Sequence, residues 1–101
     1  MIQITDDEKK IILMIIGAQL ESNRGEIWAF GSRVRVGAAK KFSDLDLAFV
    51  GSKVLSSLEI ENLKEQFSSS DLPFKIDLCN LVDLPEAIQK SITKERLVLW
   101  P

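Results

Sequence analysis

Histidine is absent from the 101 residues, and cysteine occurs once, as Cys79. The first absence removes histidine acid–base chemistry, a serine–histidine nucleophile and histidine-ligated zinc from this chain. The second rules out an intrachain disulfide and fits a reducing cytoplasm, where the chain is expected to reside. A charge excess is also missing. Thirteen Lys and Arg stand against 15 Asp and Glu, for a net charge of −2. No basic character therefore argues for nucleic acid or an anionic membrane surface. The apolar run Ile11-Ile12-Leu13-Met14-Ile15-Ile16 follows Asp6, Asp7 and Glu8. It falls far short of the roughly 20 residues that cross a bilayer, so neither a signal peptide nor a membrane span is expected. There is no internal repeat, and Ser68-Ser69-Ser70-Asp71 is too short to separate two domains.

What remains is an ordinary globular composition, 46% hydrophobic and 28% charged, which suits one domain over residues 1–101 with a single core. Thr5-Asp6-Asp7-Glu8 has the capping-box form. Ile12, Ile15, Ile16 and Leu20 follow on one helical stripe, which predicts a helix over 6–22. Leu13 and Met14 lie off that stripe, so the helix is expected either to be buried on most of its surface or to meet a partner. Glu26–Phe30 reads as a strand ending at Gly31, with a helical turn from Ser32 to about Val36. Residues 43–50 form a second strand, apolar enough to be covered on both faces. Ser56 and Glu59 make a second capping box for a helix over 57–68, with Leu55 and Ile60 as a hydrophobic staple. Residues 74–79 give a third strand, and Asp83-Leu84-Pro85-Glu86 opens a last helix. The apolar tail from Arg96 is expected as a short edge strand or docked on the first helix. The order α-β-(α)-β-α-β-α implies an α/β fold, a small mixed sheet covered by helices.

Chemistry concentrates in Gly31-Ser32 and in Asp44-Leu45-Asp46. Residues two apart in a strand share a face, so Asp44 and Asp46 project side by side while Leu45 and Leu47 point the other way. Adjacent carboxylates repel, and a divalent cation with a taste for oxygen, magnesium or manganese, relieves that repulsion. Asp77 stands among Ile76 and Leu78 and joins them if its strand lies beside the second. Three converging carboxylates suit a two-metal site for phosphoryl displacement. Backbone N–H groups of a turn at Gly31-Ser32 make a phosphate cradle, with Arg33, Arg35, Lys40 and Lys41 close in sequence.

This pattern resembles the nucleotidyltransferase superfamily of the DNA polymerase beta type. It is most similar to the minimal nucleotidyltransferases of prokaryotes, whose signature is Gly-Ser, a spacer, Asp-x-Asp and a later carboxylate on a strand. Here these are Gly31-Ser32, Asp44-Leu45-Asp46 and Asp77, within Phe30-Gly31-Ser32-Arg33-Val34 and Lys41-Phe42-Ser43-Asp44-Leu45-Asp46-Leu47-Ala48. The resemblance covers about half of the chain, from the first strand to the third. The eleven-residue spacer, 33–43, is one residue longer than is usual in the family, a departure that bears on catalysis more than on fold. The resemblance implies Mg2+-dependent transfer of a nucleoside monophosphate, AMP from ATP, to a hydroxyl. Asp44, Asp46 and Asp77 would ligate up to two ions, and Asp77 would also take the acceptor's proton. Gly31, Ser32, Arg33 and Ser43 would hold the nucleotide. It further implies a partner in trans, a helical HEPN-type toxin encoded nearby, for which this chain is the antitoxin, as a homodimer or a hetero-oligomer.

Two other readings compete. One is a catalytically silent member that masks its partner by binding alone. The other is a small nucleic-acid-binding domain, against which the net charge and the lack of an aromatic stripe both stand. Cys79 is expected in the core, and Trp28 and Trp100 as core or interface anchors rather than base-stacking platforms.

Overall fold

A computed structural model describes residues 2–21, 23–34 and 44–100. The first helix, α1, runs over Asp6–Gln19 and begins with the expected capping box. The Thr5 hydroxyl accepts from the Glu8 N–H at 3.1 Å, and the Glu8 carboxylate accepts from the Thr5 N–H at 2.8 Å. It ends three residues sooner than predicted, because Leu20 turns to extended backbone and sinks its side chain into the core. Within α1 only Ile12 and Ile16 are buried, and Met14 is 74% exposed. The helix is therefore amphipathic rather than buried on most of its surface.

Strand β1, Glu26–Phe30, leads through Gly31 into a 3-10 turn over Ser32–Val34. Strand β2 is Leu45–Val50, α2 is Ser57–Ser68 and β3 is Ile76–Asn80. A second 3-10 turn, Leu81–Asp83, precedes α3, Glu86–Glu95, and β4, Leu97–Trp100, closes the order. The turn beyond Val34 and the strand start at Ser43, both expected from the sequence, lie outside the described residues. The expected staple residues Leu55 and Ile60 both join the main apolar cluster. The tail realises both of its expected fates. It forms edge strand β4, and the Trp100 ring sits where a Cβ on Gly17 of α1 would come within 3.3 Å of it.

The strands form one mixed sheet in the order β3-β2-β1-β4. Strand β1 runs antiparallel to β2 and β4, while β2 and β3 are parallel. Alternation along the strands divides the sheet into two faces. Ile27, Ala29, Leu45, Leu47, Phe49, Ile76 and Leu78 join Ile12 and Ile16 of α1 and Leu63 and Phe67 of α2 in the main core. On the opposite face Trp28 and Ala48 meet Leu81 of the second 3-10 turn and Ile92 of α3. Strand β2 is thus covered on both faces, as its apolar run predicts.

Arg24, just ahead of β1, ties the two central strands to α2. Its guanidinium makes a two-pronged bond to the Glu59 carboxylate, 2.8 Å on each prong, and donates to the Val54 carbonyl at 3.1 Å. Glu59 also accepts from the Ser56 N–H at the helix start. The Arg24 bond first, and the Ser56 N–H second, hold the Glu59 pKa down at about 2. A depressed carboxylate contributes stability above its ordinary value of 4.5 that is lost as pH falls through the folded value of about 2. Glu59→Gln is therefore expected to lower the unfolding free energy at pH 7 by up to about 1 kcal/mol, the pair being partly solvent-screened. The gap to the parent should narrow between about pH 4.5 and pH 2 in acid-dependent thermal unfolding. A gap independent of pH would contradict this role for Glu59.

Candidate active site

The site lies at one end of the α3-covered face, where register sets three strands level. Asp46 of β2 faces Phe30 of β1 on one side and Asp77 of β3 on the other. Asp46 and Asp77 share the face of Ala48 and Cys79, since each stands two residues from its neighbour along the strand. Asp44 is exposed just before β2, and the Leu45 N–H donates to the Lys75 carbonyl at 2.9 Å, which sets Asp44 level with Lys75. Burial first, then the Asp77 and Asp44 charges, push the Asp46 pKa above its ordinary value. The three carboxylates thus feel one another at Asp46, with burial on one side and repulsion on two.

Gly31 makes that arrangement possible. Its φ of +83° lies in the left-handed region, open to glycine without cost. A Cβ there would stand 2.5 Å from Asp46 Oδ2, so only a glycine lets the β1 terminus approach the carboxylate this closely. The turn closes when the Val34 N–H donates to the Gly31 carbonyl at 3.1 Å, with Ser32 half-buried at its start.

Arg33 takes a different position from the one expected of a phosphate ligand. It is 6% exposed, stacks its guanidinium 4.1 Å from the centre of the Phe74 ring and donates to the Gln3 carbonyl at 2.8 Å. The Gln3 N–H in turn donates to the Arg33 carbonyl at 2.7 Å. These contacts fasten the N-terminal segment to the turn. Ser43, Arg35, Lys40 and Lys41 lie outside the described residues.

Two residues at the site went unnoticed in the sequence. Lys75 places Nζ 3.8 Å from Asp77 Oδ1 and brings a cation into the acidic cluster. Its signal was present, since it precedes Asp77 by two residues and so shares its face. Glu95 accepts from the Gly31 N–H at 3.2 Å across 64 residues of sequence, a separation at which no local signal exists. Cys79 is half-buried with Sγ 3.8 Å from the Leu47 carbonyl, and burial, followed by the charges of Asp83, Asp46 and Asp77, pushes its thiol pKa up. Trp28 is buried on the same face beneath the Arg96 guanidinium, 4.5 Å from the ring centre.

A glycine-serine turn at a strand end, set against a carboxylate that is level with a second one on a parallel strand, defines the nucleotidyltransferase type of site. Residues 17–100 match the Polymerase beta, Nucleotidyltransferase family, and the chain belongs to it. It is 47% identical over 73 residues to the probable protein adenylyltransferase MntA of Haemophilus influenzae, a match covering 72% of this chain and 63% of that protein. The chain thus spans less than two thirds of that relative's length. Among solved structures, a toxin–antitoxin complex with AMP-PNP superposes with a TM-score of 0.72 at 21% identity, over 91% of this chain and 72% of that one. The complex of a tri-AMPylated Shewanella oneidensis HEPN toxin with its MNT antitoxin gives 0.66 at 18%, over 92% and 69%. At such identities the likeness shows the fold.

Among the described residues, no group of three or more His, Cys, Asp or Glu side chains is placed so as to hold a metal ion. The donor chemistry nevertheless fits a hard divalent cation. Asp46 carries the repulsion of two other carboxylates, which such a cation would relieve.

Two substitutions test this geometry. A raised carboxylate pKa means stability is lost as pH climbs through the folded value, so ionised Asp46 weakens the fold at pH 7. Asp46→Asn is expected to raise the thermal midpoint at pH 7 by a few degrees, an advantage that shrinks as pH falls through the raised folded value and is gone by about pH 3.8. A lower midpoint at pH 7 would contradict the electrostatic account. Gly31→Ala should cost about 1–3 kcal/mol in denaturant unfolding, because alanine is strained at this φ and its Cβ displaces the Asp46 carboxylate. An unchanged stability would show that the turn can rearrange freely.

Proposed function

We propose that this chain is a Mg2+-dependent nucleotidyltransferase that moves AMP from ATP to a hydroxyl of a HEPN-type partner protein and serves as that partner's antitoxin. The observation that carries the reading is Asp46, held level between the Gly31 turn and Asp77 on a half-buried sheet face. Its relative in Haemophilus influenzae is described as a probable protein adenylyltransferase, and a solved neighbour pairs an MNT antitoxin with a tri-AMPylated HEPN toxin. Both support the choice of nucleotide and acceptor.

In this mechanism Asp44 and Asp46 would hold Mg2+ with Asp77 as third ligand, and the metal, when bound, would supply Lewis-acid polarisation of the phosphoryl oxygens. The backbone N–H groups at Ser32 and Arg33, at the start of the 3-10 turn, receive phosphate oxygens, together with Ser43. Arg33 contributes through its backbone, since its guanidinium is committed to Phe74 and Gln3. Asp77 takes the proton as the acceptor hydroxyl oxygen attacks the α-phosphorus. The bond from that phosphorus to the bridging oxygen breaks, and pyrophosphate leaves. Lys75, beside Asp77, offsets negative charge gathered there.

The competing reading is a silent member that neutralises its partner by binding alone. The longer spacer, 33–43, is the feature that favours it. Thermal unfolding with Mg-ATP separates the two. A ligand at about 100 times its dissociation constant stabilises the native state by about 2.7 kcal/mol. The parent is expected to show a metal-dependent rise in its midpoint that Asp46→Asn lacks. No rise in the parent would favour the silent antitoxin.

A further inference from the structure

Gly31 is gripped from two sides. A Cβ on it would meet the Asp46 carboxylate, while its N–H, one residue past the end of β1, is directed at Glu95 Oε1 at 3.2 Å. Glu95 is the last residue of α3, is half-buried and is anchored on both sides. Ile92, three residues before it, is buried against Trp28 and Ala48, and Leu97, two residues after it, pairs with Ala29 of β1. The next residue, Arg96, stacks on Trp28. The carboxylate that holds the Gly31 amide therefore comes from a junction fixed to the sheet independently of the turn itself.

We propose that Glu95 is a positioning residue of the nucleotide site: by accepting the Gly31 N–H it fixes the Gly-Ser turn against Asp46. The inference rests on the nucleotidyltransferase reading above. The amide is a strong, directional donor, and a charged acceptor makes the stronger kind of hydrogen bond. With that acceptor gone, the end of β1 is free to rotate about Gly31, the residue with the widest backbone freedom in the turn. The phosphate-facing N–H groups that follow then lose their fixed relation to the carboxylates. Glu95 touches neither nucleotide nor metal in this scheme. It acts through Gly31, and it makes the α3–β4 junction part of what builds the site.

The test uses the full chain with Glu95→Ala, which removes the acceptor, and Glu95→Gln, which keeps a carbonyl oxygen there. Two quantities are read: amide hydrogen exchange at Gly31 by NMR without nucleotide, and Mg-ATP affinity by titration calorimetry. Glu95→Ala is expected to speed Gly31 exchange and to weaken Mg-ATP about tenfold, as loss of an outer supporting bond does elsewhere. Glu95→Gln is expected to bind close to the parent. A role confined to stability would lower the thermal midpoint and leave the Mg-ATP affinity untouched, which would overturn the proposal. So would unchanged Gly31 exchange in Glu95→Ala, or Glu95→Gln binding as weakly as Glu95→Ala. If the parent itself fails to bind Mg-ATP, the nucleotide reading falls and the positioning role with it, while Gly31 exchange still decides whether the clamp exists.

Discussion

The register of β2 is the constraint on which the rest of the structure depends. Side chains alternate along a strand, so a slip of one residue against β1 or β3 would turn Asp46 into the main core and bring Leu45 or Leu47 out to the site. The antiparallel pairing with β1 and the parallel pairing with β3 hold it in place, level with Phe30 and Asp77. One face of the sheet can then be almost wholly apolar beneath α1 and α2. The other carries a smaller core under α3 and gives up its end to carboxylates. The division between stability and chemistry follows from a period of two.

That end of the sheet works against folding. Asp46 is half-buried, and desolvation combines with two neighbouring negative charges to disfavour its ionised form. A chain selected for stability alone would place an apolar residue there. Lys75 offsets part of the charge at Asp77 from an exposed position where the gain is small. The close approach of Gly31 to Asp46 Oδ2 adds crowding to repulsion. Local costs concentrated on one set of polar residues, in a fold otherwise consistent with its sequence, are the pattern expected where a candidate site is built.

Much of this was legible. The two capping boxes stand at Thr5 and Ser56 as their sequences predict, because an N-cap depends on residues within one turn. The central strand and its aspartates were readable from alternation, and the pairing of Asp77 with Asp46 followed once β3 was taken to lie beside β2. What the sequence hid is contact across long separations. Arg33 reads as a loop cation near a phosphate cradle, yet Phe74 and Gln3 capture it. Glu95 carries no local signal at all, yet it reaches Gly31. The early end of α1 also escaped, since it is set by where Leu20 finds the core.

The most direct test of the central claim is paramagnetic broadening of backbone amide signals by Mn2+ in the presence of ATP. Manganese shares magnesium's preference for oxygen donors, and its unpaired electrons report proximity residue by residue. The account predicts that amides of Gly31, Asp44, Asp46 and Asp77 broaden first, and that Asp46→Asn abolishes the effect. Broadening absent from these residues, or centred elsewhere on the fold, would contradict a metal–nucleotide site at the end of this sheet.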